Sequence, residues 1–285
     1  MRDAATMRAL ILDVATQHPA VRAVVLNGSR ANKDAPQDQY QDFDIVYYFD
    51  DKAAYSSRDW PSLFGEVLIM QTLEDMVFDP PGPVHGRVYL MQFKDGNRID
   101  LTLRQIDVLH IDIKQDSLSV LWLDKDGRVK DMPSSDDRSY HVKRPDEAVV
   151  ASCVNECFWV AFYVLKGVAR NHLGYAQVHL DIMRRCLEGM LQWAVGIKHQ
   201  FGVSTGKHGS YFARWLPSAW LDRWHATWAP AEPKAILEAL ETLLVLFVEV
   251  SEDVSRGLNM QNPVMRYTEA YQVIRNTLKN FLTES

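Results

Sequence analysis

Cysteine is scarce in this chain, and its 3 copies form no pattern typical of a metal site or a disulfide framework. No Cys-x-x-Cys pair occurs, and this composition is typical of proteins that fold in a reducing compartment. The segment Met1-Arg2-Asp3 also lacks the basic and then apolar pattern of a signal peptide. We therefore expect a cytoplasmic protein that is stabilised by its hydrophobic core.

Several signatures of common protein classes are also missing from the sequence. The 9 histidines show no spacing of a zinc site, and neither a Gly-x-Ser-x-Gly elbow nor a Walker lysine loop occurs. No apolar run approaches the roughly 20 residues that span a bilayer, so we expect no membrane partner. The net charge of -6 argues against a nucleic-acid partner, which prefers a basic surface, and suits a small polycationic substrate.

The distribution of apolar residues predicts an α+β protein with two domains. A helix at 3–17 and strands at about 21–27, 43–49, 66–72, 86–93, 98–103 and 118–123 are followed by helices at about 145–171, 174–199, 234–256 and 265–282. We expect a mixed sheet flanked by helices at 1–135 and a helical bundle at 145–285. The polar segment 133–138 is the predicted linker, and Asp95-Gly96-Asn97 predicts a hairpin turn.

The motif Gly28-Ser29-Arg30 lies directly after the apolar run 21–26, which predicts a buried strand. A small, flexible Gly-Ser step lets backbone amides and a hydroxyl approach phosphate oxygens closely. The planar guanidinium of Arg30 adds a fixed positive charge that suits a phosphate. The motif therefore predicts a phosphate-binding turn at the end of a strand.

Asp42 and Asp44 stand at positions i and i+2 of the next predicted strand, so both carboxylates project from one face. Phe43 lies between them and projects into the core. A phosphate-binding turn that faces two carboxylates is an arrangement that can hold a magnesium-bound triphosphate. The alternative for this pair is a solvated strand face.

Together these motifs resemble the polymerase-beta-like nucleotidyltransferase superfamily, whose signature is Gly-Ser followed by Asp-x-Asp on a strand. Within it, the chain is similar to the aminoglycoside 6-adenylyltransferase (streptomycin-modifying) family. The closer match rests on 26–30 with 41–47, on 97–102 and on 155–167, while 123–127 and 206–207 also fit. It extends to about residue 280 and is weakest after 215. Phe43 stands where the family usually has a tyrosine.

The resemblance implies that 1–135 is a nucleotidyltransferase catalytic domain. It adds Asp100 to Asp42 and Asp44 as catalytic residues and metal ligands, although a lone acid in such a strand faces solvent in most proteins. Three carboxylates on adjacent strands can hold two Mg²⁺ ions for in-line phosphoryl transfer. ATP is the implied co-substrate, with Gly28, Ser29 and Arg30 binding it and Asp100 as the best candidate to accept the hydroxyl proton.

A polar and aromatic stripe is predicted on the helix at 145–171, with helical spacing of three and four: Glu156, Trp159, Tyr163, Lys166 and Arg170. Its neighbouring face is expected to pack inward: Phe158, Phe162, Leu165 and Ala169. Periodicity alone favours an ordinary exposed face for the stripe. The resemblance instead implies that Trp159, Tyr163 and Lys166 bind the nucleotide, joined by Lys207 from a glycine-flexed loop.

A cationic acceptor needs acidic residues outside the metal cluster. Asp181 and Glu188 are seven residues apart on the next predicted helix, share one face and are our candidates for substrate binding. The alternative for Asp181 is an ordinary i,i+4 salt bridge with Arg185.

The expected function is Mg²⁺-dependent transfer of AMP from ATP to a hydroxyl of an aminoglycoside, foremost the 6-hydroxyl of streptomycin, with release of pyrophosphate. The alternatives are a different small-molecule or protein hydroxyl as acceptor, and a nucleotide-binding regulatory module without catalysis. The choice between ATP and GTP stays open at the level of sequence. We expect a monomer.

Overall fold

The computed structural model describes residues 1–51, 59–83 and 85–284. Backbone contacts divide the chain into two compact units, Met1–Ser139 and Tyr140–Ser285. The predicted linker 133–138 belongs to the first unit, where the Ser135 hydroxyl donates a hydrogen bond to the carbonyl oxygen of Ala31 at 2.7 Å. The assignment of catalysis to 1–135 and of ligand binding to 145–285 stays a prediction.

The first unit is built on a six-stranded mixed sheet, which confirms the predicted fold class. Its elements are α1 (Ala4–Gln17), β1 (Val21–Asn27), β2 (Phe43–Phe49), β3 (Val67–Thr72), β4 (Arg87–Phe93), β5 (Arg98–Gln105), α2 (Leu109–Gln115) and β6 (Ser119–Asp124). The strand order is β3-β4-β5-β2-β1-β6. Strands β2 and β5 pair in parallel, and the other neighbours are antiparallel. The short helix α2 is an element that the sequence analysis did not predict.

The two faces of this sheet pack against different helices. On one face, Met7 and Ile11 of α1 are buried in a cluster with Phe43 and Ile45 of β2. On the other face, Leu109 and Ile113 of α2 pack in a smaller cluster with Tyr48 of β2. Because side chains alternate along a strand, the even-numbered positions of β2 lie on the α2 face. Asp44, the second residue of β2, therefore lies on this face, and so does Asp42, which precedes the strand.

The predicted hairpin between β4 and β5 is confirmed. The amide of Gly96 donates to the carbonyl oxygen of Phe93 at 3.0 Å, and Gly96 has a φ of 88°, which an L side chain rarely adopts. Arg2 fastens this turn, since its Nε donates to Asp95 at 2.6 Å and its carbonyl oxygen accepts from Asn97 at 3.1 Å. The hairpin that carries Asp100 is therefore held at its turn by the start of the chain.

The second unit is a helical bundle, as predicted. Its helices are α3 (Glu147–Ala169), α4 (Leu173–Lys198), α5 (Phe212–Trp215), α6 (Ser218–His225), α7 (Pro233–Leu258) and α8 (Thr268–Glu284). The core lies where α3, α4 and α7 meet, and it includes Phe158, Met183 and Phe247. The short helices α5 and α6 were not predicted, and the last helix begins after a 3-10 turn at Pro263–Tyr267 rather than at 265.

Two expectations about α3 are wrong at least in part. Phe158 and Leu165 are buried as predicted, but Phe162 and Ala169 are exposed. The buried stripe is centred about a quarter turn away from the predicted face, on residues such as Ala161. By length and composition, α3 also qualifies as a helix that could cross a membrane, contrary to the expectation that no such run exists. Much of α3 is nevertheless buried against other helices of this unit, which is a common reason for such a composition.

Candidate active site

A row of polar side chains runs across four neighbouring strands of the sheet in the first unit, near one end of each strand. Asn27 of β1 is paired with Asp44 of β2, and Asp44 is paired in parallel register with Asp100 of β5. On the far side of Asn27, the row continues to Ser119 of β6. Asp42 immediately precedes β2 on the same face. The structure therefore brings together the three acids that the sequence analysis predicted, on two adjacent strands.

Gly28 begins a 3-10 turn, Gly28–Ala31, that directly follows Asn27 of this row. Its φ is 70°, and a Cβ atom built on it would stand 2.0 Å from Oδ2 of Asp44. Both the backbone conformation and the space therefore require glycine at this position. The close approach means that the predicted phosphate-binding turn touches one of the three carboxylates directly.

Ser29 and Arg30 hold the segment that leads into β2. The Ser29 hydroxyl accepts a hydrogen bond from Nε2 of Gln41 at 3.3 Å, and the Arg30 Nη2 donates to the carbonyl oxygen of Gln41 at 2.7 Å. The Arg30 Nε also donates to the carbonyl oxygen of Asp42 at 2.9 Å, and its guanidinium lies 4.0 Å from the ring centroid of Phe43. Burial lowers the pKa of Arg30, against the opposing effect of nearby carboxylates. In this structure Arg30 positions Asp42, and its contact with phosphate stays a prediction.

The three carboxylates perturb one another. Burial, then Asp100 and Asp42, raise the pKa of Asp44 to about 6. Burial also raises the pKa of Asp42, which nearby Arg98 partly offsets. Like charges this close together disfavour ionisation of all three carboxylates. A cation that approaches the cluster therefore stabilises it.

One such cation belongs to the chain itself. Arg98 of β5 donates from Nε to Oδ1 of Asp100 at 2.8 Å and from Nη2 to Oδ2 at 2.7 Å. Its Nε also lies 3.4 Å from Oδ2 of Asp42. Hydrogen bonding to Asp100 raises the pKa of Arg98, so the guanidinium stays charged. A single side chain therefore bridges two of the three carboxylates.

The donor set suits a hard divalent cation, since Mg²⁺ prefers oxygen ligands and carboxylates above all. Among residues 1–51, 59–83 and 85–284, no three His, Cys, Asp or Glu side chains already surround a common cation position. Two of the three carboxylates are turned towards Arg98 instead. The residues thus fit a cation by their chemistry and their register, and side-chain rotation would complete the site.

The sequence analysis gave no role to three polar residues near this row: Asn27, Asp116 and Arg98. Asn27 donates from Nδ2 to Oδ2 of Asp116 at 3.2 Å and to the hydroxyl of Ser119 at 2.7 Å. Asp116 contributes to the raised pKa of Asp44, which places a fourth carboxylate beside the row. Arg98 could have been singled out, because it stands two residues before Asp100 and hence on the same strand face. Nothing in the local sequence points to Asp116.

In the second unit, the predicted stripe of α3 forms an aromatic cluster with α4. Trp159 is 61% exposed and contacts Tyr163 edge to face, with ring centroids 6.1 Å apart. Nζ of Lys166 lies 4.5 Å from the centroid of Tyr163, and His179 lies 5.1 Å from it on the other side. The structure therefore brings Trp159, Tyr163 and Lys166 together, with an indole face that is accessible for stacking.

Lys207 lies in a 3-10 turn, Lys207–Gly209, that follows the predicted glycine-flexed loop. Gly206 and Gly209 have φ values of 70° and 71°, and the Lys207 side chain is exposed. Its neighbour His208 lines a cavity of 480 Å³ together with residues of α4 and α6. The turn is thus built from positions that need glycine, with a cation and an imidazole at its tip.

Asp181 and Glu188 line that same cavity, as their shared helical face predicts. Burial raises the pKa of Glu188, and its Oε1 accepts from Nε2 of Gln192 at 3.0 Å. Asp181 pairs with Arg184, not with Arg185 as the alternative interpretation expected.

Arg184 itself is buried in the wall of the cavity. Its Nε donates to the carbonyl oxygen of Thr227 at 3.3 Å, and its guanidinium lies 5.1 Å from the centroid of Trp228. Trp224 lies beside Trp228, with centroids 4.6 Å apart. The lining of the cavity therefore combines two acids and an aromatic wall with two arginines, Arg184 and Arg185, and Arg184 already pairs with Asp181.

Comparison with known proteins identifies the family of this chain. A family model described as streptomycin adenylyltransferase matches residues 1–275. An aminoglycoside 6-adenylyltransferase from Campylobacter jejuni is 34% identical over 281 residues, 98% of this chain and 97% of that protein. One from Bacillus subtilis (strain 168) is 33% identical over 277 residues, 94% of this chain and 98% of that protein. A crystal structure of an aminoglycoside 6-adenyltransferase from Bacillus subtilis is 28% identical, covers 99% of each chain and has a TM-score of 0.46.

The family model and the two relatives confirm the family resemblance drawn from the sequence. The family model covers the polar row, the Gly28 turn and the helical cavity alike. Because that model spans nearly the whole chain and relatives above 30% identity cover almost all of it, the chain belongs to the streptomycin adenylyltransferase family.

Proposed function

We propose that this protein transfers AMP from ATP to a hydroxyl of an aminoglycoside, with the 6-hydroxyl of streptomycin as the foremost acceptor, and releases pyrophosphate. The observation that carries the proposal is the parallel register of Asp44 and Asp100 beside the Gly28 turn. The names of the relatives support the acceptor class, since they are called aminoglycoside 6-adenylyltransferases. We place the reaction in the cytoplasm and expect a monomer.

The carboxylates of Asp42, Asp44 and Asp100 would hold two Mg²⁺ ions. Bound there, Mg²⁺ neutralises the triphosphate and makes a nearby hydroxyl more acidic. Asp100 accepts the proton of the attacking acceptor hydroxyl, a role that requires a carboxylate within hydrogen-bond reach. Ser29 and the amides of the Gly28 turn bind the outer phosphates and stabilise charge on the leaving pyrophosphate. Arg30 keeps Asp42 in place through its bonds to the preceding main chain.

The second unit supplies the groups for the nucleoside and the acceptor. Trp159 and Tyr163 offer aromatic faces for adenine, and Lys166 and Lys207 offer cations for phosphate oxygens. The 480 Å³ cavity with Asp181 and Glu188 would bind the cationic rings of the drug. A partly buried carboxylate attracts a cation more strongly than an exposed one does, because water screens the interaction less.

The direct test is pyrophosphate release from Mg-ATP in the presence of a panel of aminoglycosides that includes streptomycin, with product mass measured in parallel. We expect release only with streptomycin, and a drug that gains the mass of one AMP group. GTP in place of ATP shows whether the base is selected. Release with another aminoglycoside alone would correct the acceptor. No release with any drug, despite binding of Mg-ATP, would reject aminoglycosides as the acceptors.

The acceptor cavity can be tested separately with Asp181→Asn. This variant keeps the shape of the side chain and removes its charge, so we expect a higher KM for the drug with an unchanged KM for ATP. Glu252→Gln on α7 is the matched control, because Glu252 also forms a local pair, with Arg256, outside the lining of the cavity. Equal drug KM values for the two variants would remove Asp181 from drug binding.

A further inference from the structure

Arg98 occupies an unusual place among the ion pairs of the sheet. It makes two hydrogen bonds to Asp100 and lies within ion-pair distance of Asp42, so one guanidinium serves two of the predicted metal ligands. Arg104, six residues later on the same strand, pairs with Asp112 at 3.0 Å. Asp112 in turn accepts a hydrogen bond from the Tyr48 hydroxyl at 2.9 Å. The second pair is thus a structural tie, whereas the first lies within the carboxylate cluster.

The charge balance of the cluster leaves room for a stronger cation. The Arg98 guanidinium carries one positive charge against three carboxylates, and Arg30 adds a second positive charge that acts electrostatically on Asp42. Arg98 is always protonated, so it cannot release the carboxylates by losing its charge. A divalent cation bound to the same oxygens would contact Asp42 and Asp100 and would be repelled by the nearby guanidinium of Arg98. Arg98 and the metal therefore compete for Asp42 and Asp100.

The surroundings of Arg98 allow it to move away. Its side chain is 41% exposed, and it lines an open cavity of 360 Å³ on the sheet face together with Leu90, Gln92 and residues of β3. Rotation about its side-chain bonds can carry the guanidinium into this space while β5 keeps its position. The amide of Gln92, paired with Arg98 across the strands, offers a carbonyl oxygen there.

We propose that Arg98 is a built-in counter-ion of the carboxylate cluster, which holds Asp42 and Asp100 until a divalent cation displaces it. The proposal rests on the metal site of the proposed function. Arg98 is then a positioning residue: it reduces the repulsion among the acids in the metal-free protein and weakens metal binding in return. Entry of the metal and departure of the guanidinium become a single exchange.

The test is the affinity of the full-length protein for Mn²⁺ alone, measured by the electron paramagnetic resonance signal of free Mn²⁺, for the wild type and for Arg98→Gln. Removal of the competing charge should tighten Mn²⁺ binding about five- to tenfold. Mere structural damage would weaken binding, so the sign of the change is informative. Arg104→Gln is the matched control: it lies on the same strand, removes the same charge and should leave the affinity unchanged.

The melting temperature provides a second readout. Arg98→Gln should melt lower than the wild type in EDTA and gain more from added Mn²⁺, whereas Arg104→Gln should gain as much as the wild type does. Arg98→Lys keeps the charge but loses the two-pronged contact with Asp100. Its affinity for Mn²⁺ should lie between that of the wild type and that of Arg98→Gln. It also provides a test if Arg98→Gln does not fold.

Each outcome has a distinct meaning. If the wild type binds Mn²⁺ and Arg98→Gln binds it equally or less tightly, the counter-ion role is wrong while the metal site stands. If neither protein binds Mn²⁺, the metal site and the counter-ion role are both rejected. If Arg98→Gln binds Mn²⁺ and the wild type does not, the result supports the proposal that Arg98 competes with the metal.

Discussion

Gly28→Ala offers the sharpest test of the site's construction. The added Cβ would stand 2.0 Å from Oδ2 of Asp44, whereas real Cβ contacts below 3.0 Å are essentially never seen. The Asp44 carboxylate would therefore have to move by at least about 1 Å, and a misplacement of that size can cost about 100-fold in rate. Because the φ of Gly28 is 70°, the alanine would also be strained by about 1–2 kcal/mol.

Gly127→Ala separates these two effects. Gly127 has a φ of 62°, but no heavy atom of the described residues lies within 4 Å of the position that an added Cβ would take. Its variant therefore carries backbone strain without a clash, and we expect both variants to lose about 1–2 kcal/mol of unfolding free energy in urea titrations. Only Gly28→Ala should lose about 100-fold in kcat/KM for pyrophosphate release. If Gly28→Ala keeps wild-type kcat/KM, the contact between the turn and Asp44 has no part in the reaction.

Three further predictions concern single side chains. Asp100→Asn should fold normally and lose about 10²–10⁴-fold in kcat at an unchanged KM for ATP, and wild-type turnover would remove Asp100 from the mechanism. Trp159→Ala should raise the KM for ATP about tenfold through lost stacking and leave the drug KM alone; equal changes in both would argue for a purely structural role. Burial raises the pKa of Glu188, so the folded state holds this proton more tightly than the unfolded state does. Stability should therefore fall as pH rises from the ordinary carboxyl range through the raised pKa. Glu188→Gln should abolish that decline and melt higher than the wild type at neutral pH but not at pH 4; parallel melting curves would contradict the pKa shift.

The elements around the site were predictable because strong local signals bound them. Gly28 ends β1, and Asp95-Gly96-Asn97 separates β4 from β5, so these strands were located to within a residue or two. The two carboxylates of the Asp-x-Asp motif could be assigned to one face because strand side chains alternate. The three long helices of the second unit, α3, α4 and α7, were located to within about two residues, whereas the short helices α5 and α6 were missed.

Features that depend on distant pairing could not be predicted in the same way. The register of Asp44 with Asp100 arises from pairing between segments far apart in the sequence, and it was expected only through the family resemblance. The choice of Arg184 as the partner of Asp181 depends on Trp228 and Thr227, which lie on another part of the chain. Helix α2 has only 7 residues, which is too short to show a clear helical pattern of apolar residues. It is stabilised by the burial of Leu109 and Ile113 against the sheet.

The parallel pair β2–β5 has a consequence for how the protein folds. The whole stretch 50–97, which includes β3 and β4, lies between these two strands, so their pairing closes a long loop. The β4–β5 hairpin and the antiparallel β1–β2 pair need only short closures and can form early. Contacts between distant segments form more slowly. Asp42 and Asp44 precede Asp100 by more than 50 residues, so we expect the carboxylate cluster to come together late, when the two local antiparallel pairs join.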